Sequence, residues 1–327
     1  MSDVDSNSEA LARDVDLDAI TSSEYNAFIL ETLRDGSCTG MGIVTDEEDW
    51  ADENDFVVRE GDNLFWLGHF IGKSQALESL WLSHLPPDDS FRQGLIQNQS
   101  IQRLYIYSDL GEAGFQSLAP FFRSTTTLKE VVCGAPSIIL ESARAIASLL
   151  RQCQIKSLTH FELDEIDLSD EGYAEIAHAL SVQPQLEALC LRCLNNVGNG
   201  CRGHTALGST MNNWKSPCLK KLEIEGFDEM DDGGLLALVE GIANCSNLEH
   251  LHLKHMNIGD ETTTALASGL ANLQSLKSIH LSHNAIGDVG LQTLAAGLAN
   301  CRDLEDLDLS SNYSFSAIGL RSLSMYF

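Results

Sequence analysis

The amino-acid sequence predicts an α/β solenoid, in which short parallel strands alternate with helices along a stack of similar units. Three observations predict this class. An apolar pattern, Leu-x-x-Leu-x-Leu, recurs with onsets 24 to 33 residues apart, and the last two intervals are both 28 residues. Its alternating apolar positions are typical of a strand with one buried face. A helical apolar pattern follows in the most regular units, and such units bury their apolar faces only by stacking.

The net charge argues against several classes of partner. The chain has 48 acidic and 20 basic residues, which gives a formal charge of −28. Phosphates would repel it, so we expect no nucleic-acid partner. We expect no membrane partner either, because an anionic lipid surface would repel it too. No apolar run reaches the roughly 20 residues that a membrane span needs.

Cysteine usage and the N-terminus predict the compartment. Residues 1–18 are acidic and lack an apolar core, so they resemble neither a secretory signal nor an Arg-rich targeting peptide. The nine cysteines are scattered through the chain, and we interpret them as reduced thiols. We therefore expect a cytoplasmic protein, with the nucleus as the other compartment open to it.

The N-terminal 76 residues are predicted to precede the repeats. We expect residues 1–20 to form a disordered acidic tail, and residues 21–76 to form an acidic region with a helical cap. A short amphipathic helix is expected from Tyr25 to Leu33, ended by Gly36. The acidic run 46–55 indicates a loop. Residues 56–71 suit a helix that packs under the first strand, with Trp66 and Phe70 in the core of the cap.

The solenoid itself is predicted over residues 77–327. Its strands are expected to be parallel and about 4.8 Å apart. Nine apolar cores mark them: Leu77/Leu80/Leu82, Ile101/Leu104/Ile106, Leu128/Val131/Cys133, Leu158/Phe161/Leu163, Leu186/Leu189/Leu191, Leu219/Leu222/Ile224, Leu248/Leu251/Leu253, Leu276/Ile279/Leu281 and Leu304/Leu307/Leu309.

The last units also predict where helices begin. Asn257-Ile258-Gly259-Asp260 recurs as Ala285-Ile286-Gly287-Asp288, and a helical pattern follows each copy. We expect Asp260 and Asp288 to be the N-caps of these helices. A further helical pattern begins at Ala317. The unit at 77–100 is short and the one at 186–218 is long, which predicts irregular loops between them.

These residues resemble the leucine-rich repeats of the ribonuclease-inhibitor type. The pattern LxxLxLxxNxIGDxGxxxLAxGLxxC over residues 248–312 carries the resemblance. The similarity is tight over residues 219–312, looser over 77–218 and absent from 1–62. It implies about nine repeats in a horseshoe, with a parallel concave sheet and convex helices, that binds proteins on its concave face. The repeat asparagine stands at Asn284 and Asn312, whereas Leu194, Phe227 and Met256 occupy the equivalent positions elsewhere.

Alternate strand positions point away from the leucine core and predict a binding surface. Neighbouring aromatic residues are typical of binding hot spots, and carboxylates on a rigid sheet would steer a basic partner. The alternatives are that the N-terminal segment folds over the aromatic residues, and that the acids are merely solvated. The candidate partner-binding residues are Trp81, Arg103, Tyr105, Tyr107, Glu162, Asp164, Glu223, Glu225, His252, Lys254, His280, Asp306 and Asp308.

We expect no catalytic residues, no metal and no cofactor. Cys190, Cys193, Cys201 and His204 have the composition of a zinc site, but a single CxxC beginning inside a strand favours structural thiols. Glu223, His252, His280 and Asp308 should form a row, which could ligate a metal or relay a proton. Repeats stack similar residues in any case, so we expect neither. No phosphate loop, G-x-S-x-G or H-E-x-x-H is present.

The sequence therefore predicts a non-enzymatic scaffold that binds a protein with a basic surface, in an oligomeric state left open. The alternative is a GTPase-activating protein for a small GTPase, similar to the Ran GTPase-activating family. That activity would need an arginine or asparagine displayed at a loop edge, for which Arg103 and Arg192 are candidates. A fragment of an innate sensor would need a nucleotide-binding domain that these residues do not show.

Overall fold

The structure is a computed structural model, and it divides into two compact units, residues 1–133 and 134–327. The described residues are 12, 15–17, 21, 23–45, 54–59, 64–86, 88–134, 140–153, 157–164, 166, 168–183, 185–193, 209–210, 212, 218–227 and 230–324.

The first unit contains a parallel sheet with helices between its strands. The described strands follow the order β2-β1-β3-β4-β5 across the sheet. They are β1 (Gly40–Thr45), β2 (Asp55–Val58), β3 (Ser79–Leu82), β4 (Arg103–Ile106) and β5 (Glu130–Cys133). The helices are α1 (Glu24–Asp35), α2 (Phe65–Lys73), α3 (Asp89–Gln97), α4 (Gly111–Ser117) and α5 (Ala119–Ser124).

The second unit repeats one strand and one helix in chain order, and its described strands are all parallel. The strands are β6 (His160–Leu163), β7 (Ala188–Arg192), β8 (Lys221–Glu225), β9 (His250–Lys254), β10 (Ser278–His280) and β11 (Asp306–Asp308). The helices are α6 (Leu140–Cys153), α7 (Asp170–Leu180), α8 (Asp232–Ile242), α9 (Asp260–Gly269), a 3₁₀ turn (Leu270–Asn272), α10 (Asp288–Leu298) and α11 (Ala317–Leu323).

The predicted α/β class, with parallel strands at the nine leucine cores, is confirmed. Leu251 pairs with Ile279, and both side chains are fully buried between the strands and the helices. The alternate strand residues point to the other side, which we call the open face. Small residues let neighbouring helices approach closely: a Cβ on Gly297 of α10 would lie 2.6 Å from the carbonyl oxygen of Ala267 in α9.

The N-terminal region contains two strands that the sequence did not predict. The helix expected over residues 56–71 begins only at Phe65, and residues 55–58 are strand β2. Strand β1 was not predicted because its three repeat positions hold Cys38, Met41 and Ile43 instead of leucines, although all three side chains are buried. The short helix expected at 25–33 is confirmed as α1, ended by Gly36 at φ 80°.

The disordered tail predicted for residues 1–20 lies mostly outside the described residues and stays a prediction. Within it, Ala12 and Leu17 are buried. The acidic loop expected at 46–55 is described only from Asn54, and the predicted irregularity of the long unit at 186–218 falls largely outside the described residues.

Buried asparagine side chains satisfy backbone groups at the edges and bends of both units. Asn26 of α1 accepts a hydrogen bond from Val57 N–H and donates one to Val57 C=O, both at 2.8 Å, and so covers edge strand β2. The Asn98 side chain donates hydrogen bonds to the carbonyls of Ile71 and Ser74 and accepts hydrogen bonds from two backbone amides that follow it in the chain. These groups would otherwise be buried without partners.

The repeat asparagine performs the same task in the second unit. Asn284 Nδ2 donates to the carbonyls of Leu253, Leu281 and Ser282, and its Oδ1 accepts from the amides of Met256 and Ile258. One side chain therefore ties its own repeat to the preceding one. Asn312 repeats the pattern one unit later.

The expected N-cap role of Asp260 and Asp288 is wrong in one respect, because each caps the following helix rather than its own. Asp260 Oδ1 accepts from Gly287 N–H at 2.7 Å and Gly290 N–H at 2.8 Å, at the start of α10. Asp288 does the same for Ser316 and Gly319 at the start of α11. The carboxylate therefore lies at the N-terminus of the helix in the following repeat, a contact that the sequence of one repeat alone does not indicate.

We expect Asn284→Leu to lower the free energy of unfolding by about 4 kcal/mol, because it leaves several buried backbone groups unpaired. Urea denaturation followed by circular dichroism measures it. Asn244→Leu is the matched control: Asn244 is exposed and makes a single 3.3 Å bond to Glu240 C=O, so we expect a change within about 0.5 kcal/mol. Equal losses from both variants would contradict this account.

We expect Asp260→Ala to lower the free energy of unfolding by about 1 kcal/mol, because α10 loses the N-cap that Asp260 provides. Hydrogen exchange should quicken at Gly287 and Gly290 while the first turn of α9 keeps its protection. Asp260→Asn retains an acceptor oxygen and should largely preserve both. Faster exchange confined to α9 would show that Asp260 serves its own helix after all.

Candidate partner-binding surface

Three aromatic residues form a ladder on the open face of the first unit. Trp81 of β3 and Tyr105 of β4 are register partners, with ring centroids 5.1 Å apart and planes within 8°. Tyr107, just past the end of β4, stacks on Tyr105 at 6.4 Å and 5°. Trp81 and Tyr105 are half-buried and Tyr107 is 40% exposed. The predicted grouping of these residues is confirmed, and we call them the aromatic ladder.

Charged groups border the aromatic ladder. Arg103 donates to Ser79 Oγ at 2.8 Å and lies 3.3 Å from Glu78 Oε2. The Tyr105 hydroxyl lies 3.5 Å from Glu130 Oε1. Burial and the nearby Glu130 raise the pKa of Tyr105, so it stays a neutral hydroxyl at physiological pH. The ladder is therefore apolar on its ring faces and polar at its border, as binding hot spots are.

The second unit carries a polar row across the open face, as predicted. Glu162, Cys190, Glu223, His252, His280 and Asp308 are successive register partners on β6 to β11. The register also places Glu225 between Arg192 and Lys254, and Ser278 between His250 and Asp306.

Arg192 binds three of the six predicted acidic site residues. Its guanidinium bonds Glu162 and Asp164 through Nη1 (the latter at 3.0 Å) and Glu223 Oε1 through Nε at 2.9 Å. Burial alone lowers the pKa of Arg192, but its hydrogen bonds to Glu223 and Asp164 raise it above its usual value. We call Arg192, Glu162, Asp164 and Glu223 the Arg192 cluster.

Glu223 is the most buried member of the Arg192 cluster, with 8% of its side chain exposed. His252, Arg192 and Lys221 hold the pKa of Glu223 well below its usual range, against burial. By distance the two permanent cations are the closer contacts, at 2.9 Å each, while His252 Nδ1 lies 3.6 Å from Oε2. Glu223 is consequently a carboxylate inside the protein rather than one displayed to a partner.

Histidine rings stack in pairs beside this cluster. His252 and His280 lie 4.1 Å apart with planes within 4°, and His255 and His283 stack at 4.1 Å and 17°. His280 Nε2 bonds Asp306 Oδ2 at 2.7 Å rather than its register partner Asp308. His255 and His283 have φ values of 51° and 58°, which are uncommon for residues other than glycine.

The predicted site residues thus separate into three groups. Trp81, Tyr105 and Tyr107 come together with Arg103 at their border. Glu162, Asp164 and Glu223 are held by Arg192. The sequence analysis left Lys221 out and named Arg192 only for the alternative GTPase-activating role, although both stand at open-face positions beside acidic strands. The remaining candidates, Glu225, His252, Lys254, His280, Asp306 and Asp308, line the open face of the second unit, where Asp306 keeps 62% of its side chain exposed.

The cysteines correct one expectation. Cys190 and five others among the described residues are free thiols, but Cys193 is in a disulfide, so the expected reduced state fails there. Cys201 and His204 of the considered zinc motif lie outside the described residues. Burial raises the pKa of Cys133 to about 12. No described group of three or more His, Cys, Asp or Glu side chains is placed to hold a metal ion.

None of the described helices combines the length and the apolar character that a membrane crossing requires. A family model described as Leucine Rich repeat matches residues 244–267 and 272–295, so the chain contains leucine-rich repeats. No curated protein matches the chain at a significant level.

Two solved structures match the chain at low sequence identity. An internalin (InlF) from Listeria monocytogenes str. 4b F2365 is 16% identical, with a TM-score of 0.36, over 94% of this chain and 95% of that one. The plant peptide hormone receptor RGFR1 in complex with RGF2 is 15% identical, with a TM-score of 0.40, over 86% of this chain and 37% of the receptor chain.

We expect Glu223→Gln to lower the free energy of unfolding by about 3 kcal/mol at pH 7, because it leaves Arg192 and Lys221 without their shared carboxylate. The folded pKa of Glu223 is depressed, so its contribution is present above the unfolded pKa of about 4.3 and is lost as pH falls through the folded pKa. The difference in the free energy of unfolding between wild type and variant should therefore become smaller below about pH 4.3. Urea denaturation at a series of pH values measures it.

Glu225→Gln is the control for this measurement, because Glu225 is half-buried on the same strand and makes no ion pair with another described residue. Its effect at pH 7 should be small. A constant gap between wild type and Glu223→Gln down to pH 3 would contradict the assigned role of the carboxylate.

Proposed function

We propose that this leucine-rich-repeat chain is a non-enzymatic scaffold that binds a protein through the open face of its strands, expected to be concave. The aromatic ladder carries the proposal. Three parallel rings on a rigid sheet, partly open to solvent, supply large contact area at low entropic cost. Leucine-rich repeats generally form extended binding surfaces of this kind.

The charge of the chain supports a partner with a basic surface. A formal charge of −28 raises the encounter rate with cations at low salt. Arg192 already neutralises much of the acidic patch on the second unit, so we assign electrostatic steering of the partner to the exposed Asp306 and to Glu225 instead. Affinity then rests on the aromatic ladder, and charge acts mainly on association.

Three finer points belong to the same proposal. The 28-residue spacing and the full helices α9 and α10 support the ribonuclease-inhibitor type of repeat. Six free thiols support a cytoplasmic or nuclear site, with Cys193 as the exception. The alternative GTPase-activating role gains no support, because Arg103 and Arg192 are both engaged by carboxylates. We expect no acceleration of GTP hydrolysis by any small GTPase.

We expect Trp81→Ala and Tyr105→Ala to weaken binding by about 2 kcal/mol each, chiefly through faster dissociation, because anchors of this kind hold the partner once it is docked. Affinity capture on the full chain identifies the partner, and surface plasmon resonance measures the rates. Tyr313→Ala is the matched control: Tyr313 is 90% exposed and lies outside the ladder. If Val289→Asp on α10 abolished binding while Trp81→Ala left it intact, the helix side would be the binding face.

Charge reversal should act on the association rate constant. Glu225→Lys and Asp306→Lys should slow association with a basic partner, and the effect should shrink as salt rises above physiological strength, where the Debye length falls below about 8 Å. Dissociation should change little. Association rates measured at two salt concentrations test this prediction. An effect that does not depend on salt would assign these residues to direct contact.

A further inference from the structure

Strand β11 stands at the end of the parallel sheet of the second unit, where β10 is its one neighbour among the described strands. In the preceding pair of strands, the amide of Leu281 donates to the carbonyl of Asp308 at 2.8 Å, so core-side residues of one strand bond the strand that follows. The direction of these bonds alternates from residue to residue along a parallel strand. The core-side residues of β11, Leu307 and Leu309, therefore direct their amides to an edge on which no described strand lies.

The apolar side chains next to this edge are less covered than their equivalents in earlier repeats. In the two preceding repeats, the leucines and the isoleucine at the three core positions of the strand have no exposed surface. In the last repeat the corresponding side chains are half-buried, and they are Leu304, Leu307 and Leu309. Leu291 of α10 is fully buried, whereas Leu320, 29 residues later in α11, is 49% exposed. Such an edge is a template on which a further strand can form.

Charges at the start of the strands alternate in sign and indicate what should lie beside β11. The residues one position before β7 to β11 form a row across the sheet, and they are Glu187, Lys220, Glu249, Lys277 and Glu305. Lys220 bonds Glu187 at 2.9 Å, and Lys277 bonds Glu249 at 2.5 Å. The row ends at the exposed Glu305. A strand added to β11 would continue the alternation with a lysine or an arginine at this position.

The open-face side chains of β11 are acidic as well. Asp306 keeps 62% of its side chain exposed although His280 bonds one of its oxygens, and Asp308 is half-buried. Arg302 precedes the strand in a turn and Arg321 lies on α11, so neither cation occupies an open-face position of β11. The edge therefore presents acidic groups on one side of the strand and apolar groups on the other.

We infer that the free edge of β11 binds an extended segment of a protein partner, which adds to the sheet as a further strand. Its apolar side chains would cover Leu307 and Leu309, and its lysines or arginines would lie beside Glu305, Asp306 and Asp308. Main-chain hydrogen bonds supply the affinity of such a contact, and alternate side chains supply its specificity. This inference goes beyond the proposed function, because the contact uses the backbone of β11 rather than the side chains of the open face.

A second copy of this chain suits the edge less well than a basic segment does. Antiparallel pairing of β11 with the same strand of another copy would place Asp306 and Asp308 of both copies on adjacent strands, and like charges on adjacent strands destabilise their pairing. The other edge strand, β2, already has the amide and the carbonyl of Val57 bonded by Asn26. Each copy also carries a formal charge of −28.

Three synthetic peptides test the inference on the full chain at physiological salt. The first alternates lysine and valine over eight residues, the second has the same composition with all lysines before all valines, and the third is the first peptide with every backbone nitrogen methylated. Fluorescence anisotropy measures their affinities. We expect the second and third peptides to bind at least about tenfold more weakly, because one lacks the alternation and the other cannot donate main-chain hydrogen bonds. Equal binding of all three would reflect net charge alone and overturn the inference.

Amide exchange and charge reversal locate the contact. The alternating peptide should slow exchange at Leu307 and Leu309 and leave Leu281, which already bonds Asp308, nearly unchanged. Glu305→Lys should weaken this peptide about fivefold. Glu261→Lys is the matched control, because it makes the same charge change at an exposed position on α9. A bound peptide that protects neither Leu307 nor Leu309 overturns the assignment to the edge.

Two further measurements separate this inference from its alternatives. If Trp81→Ala weakens the alternating peptide and Glu305→Lys does not, the peptide lies on the open face, so the edge inference fails while the proposed function stands. If the chain alone forms a concentration-dependent dimer in sedimentation equilibrium, and dimer formation protects Leu307 and Leu309, the occupant is a second copy and the inferred partner is wrong. A monomeric chain supports the partner.

Discussion

Stacking repeats buries the backbone at every bend between a strand and a helix, and the structure depends on side chains that satisfy those buried groups. Asn26, Asn98, Asn284 and Asn312 present an amide that donates and accepts at once, as a backbone peptide does. An apolar residue at these positions would leave donors and acceptors without partners at a cost larger than the packing it gained. Because these contacts hold neighbouring strands in register, open-face side chains form straight rows.

These rows determine which features of the site could be predicted from the sequence. Leucine spacing fixed nine strands, and register followed, so the alignment of Glu223, His252, His280 and Asp308 could be predicted before any geometry was known. The partner of each side chain within a row could not. Arg192 of β7 pairs with Glu162 on one neighbouring strand and Glu223 on the other, and that choice depends on rotamers and burial that a repeat pattern does not encode.

The features that the sequence did not predict have two physical causes. Strand β1 was missed because Cys38, Met41 and Ile43, rather than leucines, supply its buried positions, and glycine at positions 40 and 42 leaves no polar side chain to mark the alternation. The helix caps were assigned to the wrong helix because capping is normally local. In this fold the acceptor and its donors are distant in sequence and adjacent in space.

Because an aspartate of one repeat caps the helix of the next repeat, the chain can change length only in certain ways. Asp260 serves amides 27 and 30 residues later, and Asp288 serves amides 28 and 31 residues later. Removing or duplicating one whole repeat would bring a new carboxylate to an equivalent helix start and preserve the pairing. Removing a few residues between strand and helix would leave a carboxylate facing no amide. Variation in length should therefore accumulate as whole repeats or in loops outside these pairings, while the strand-to-helix turns keep a fixed length.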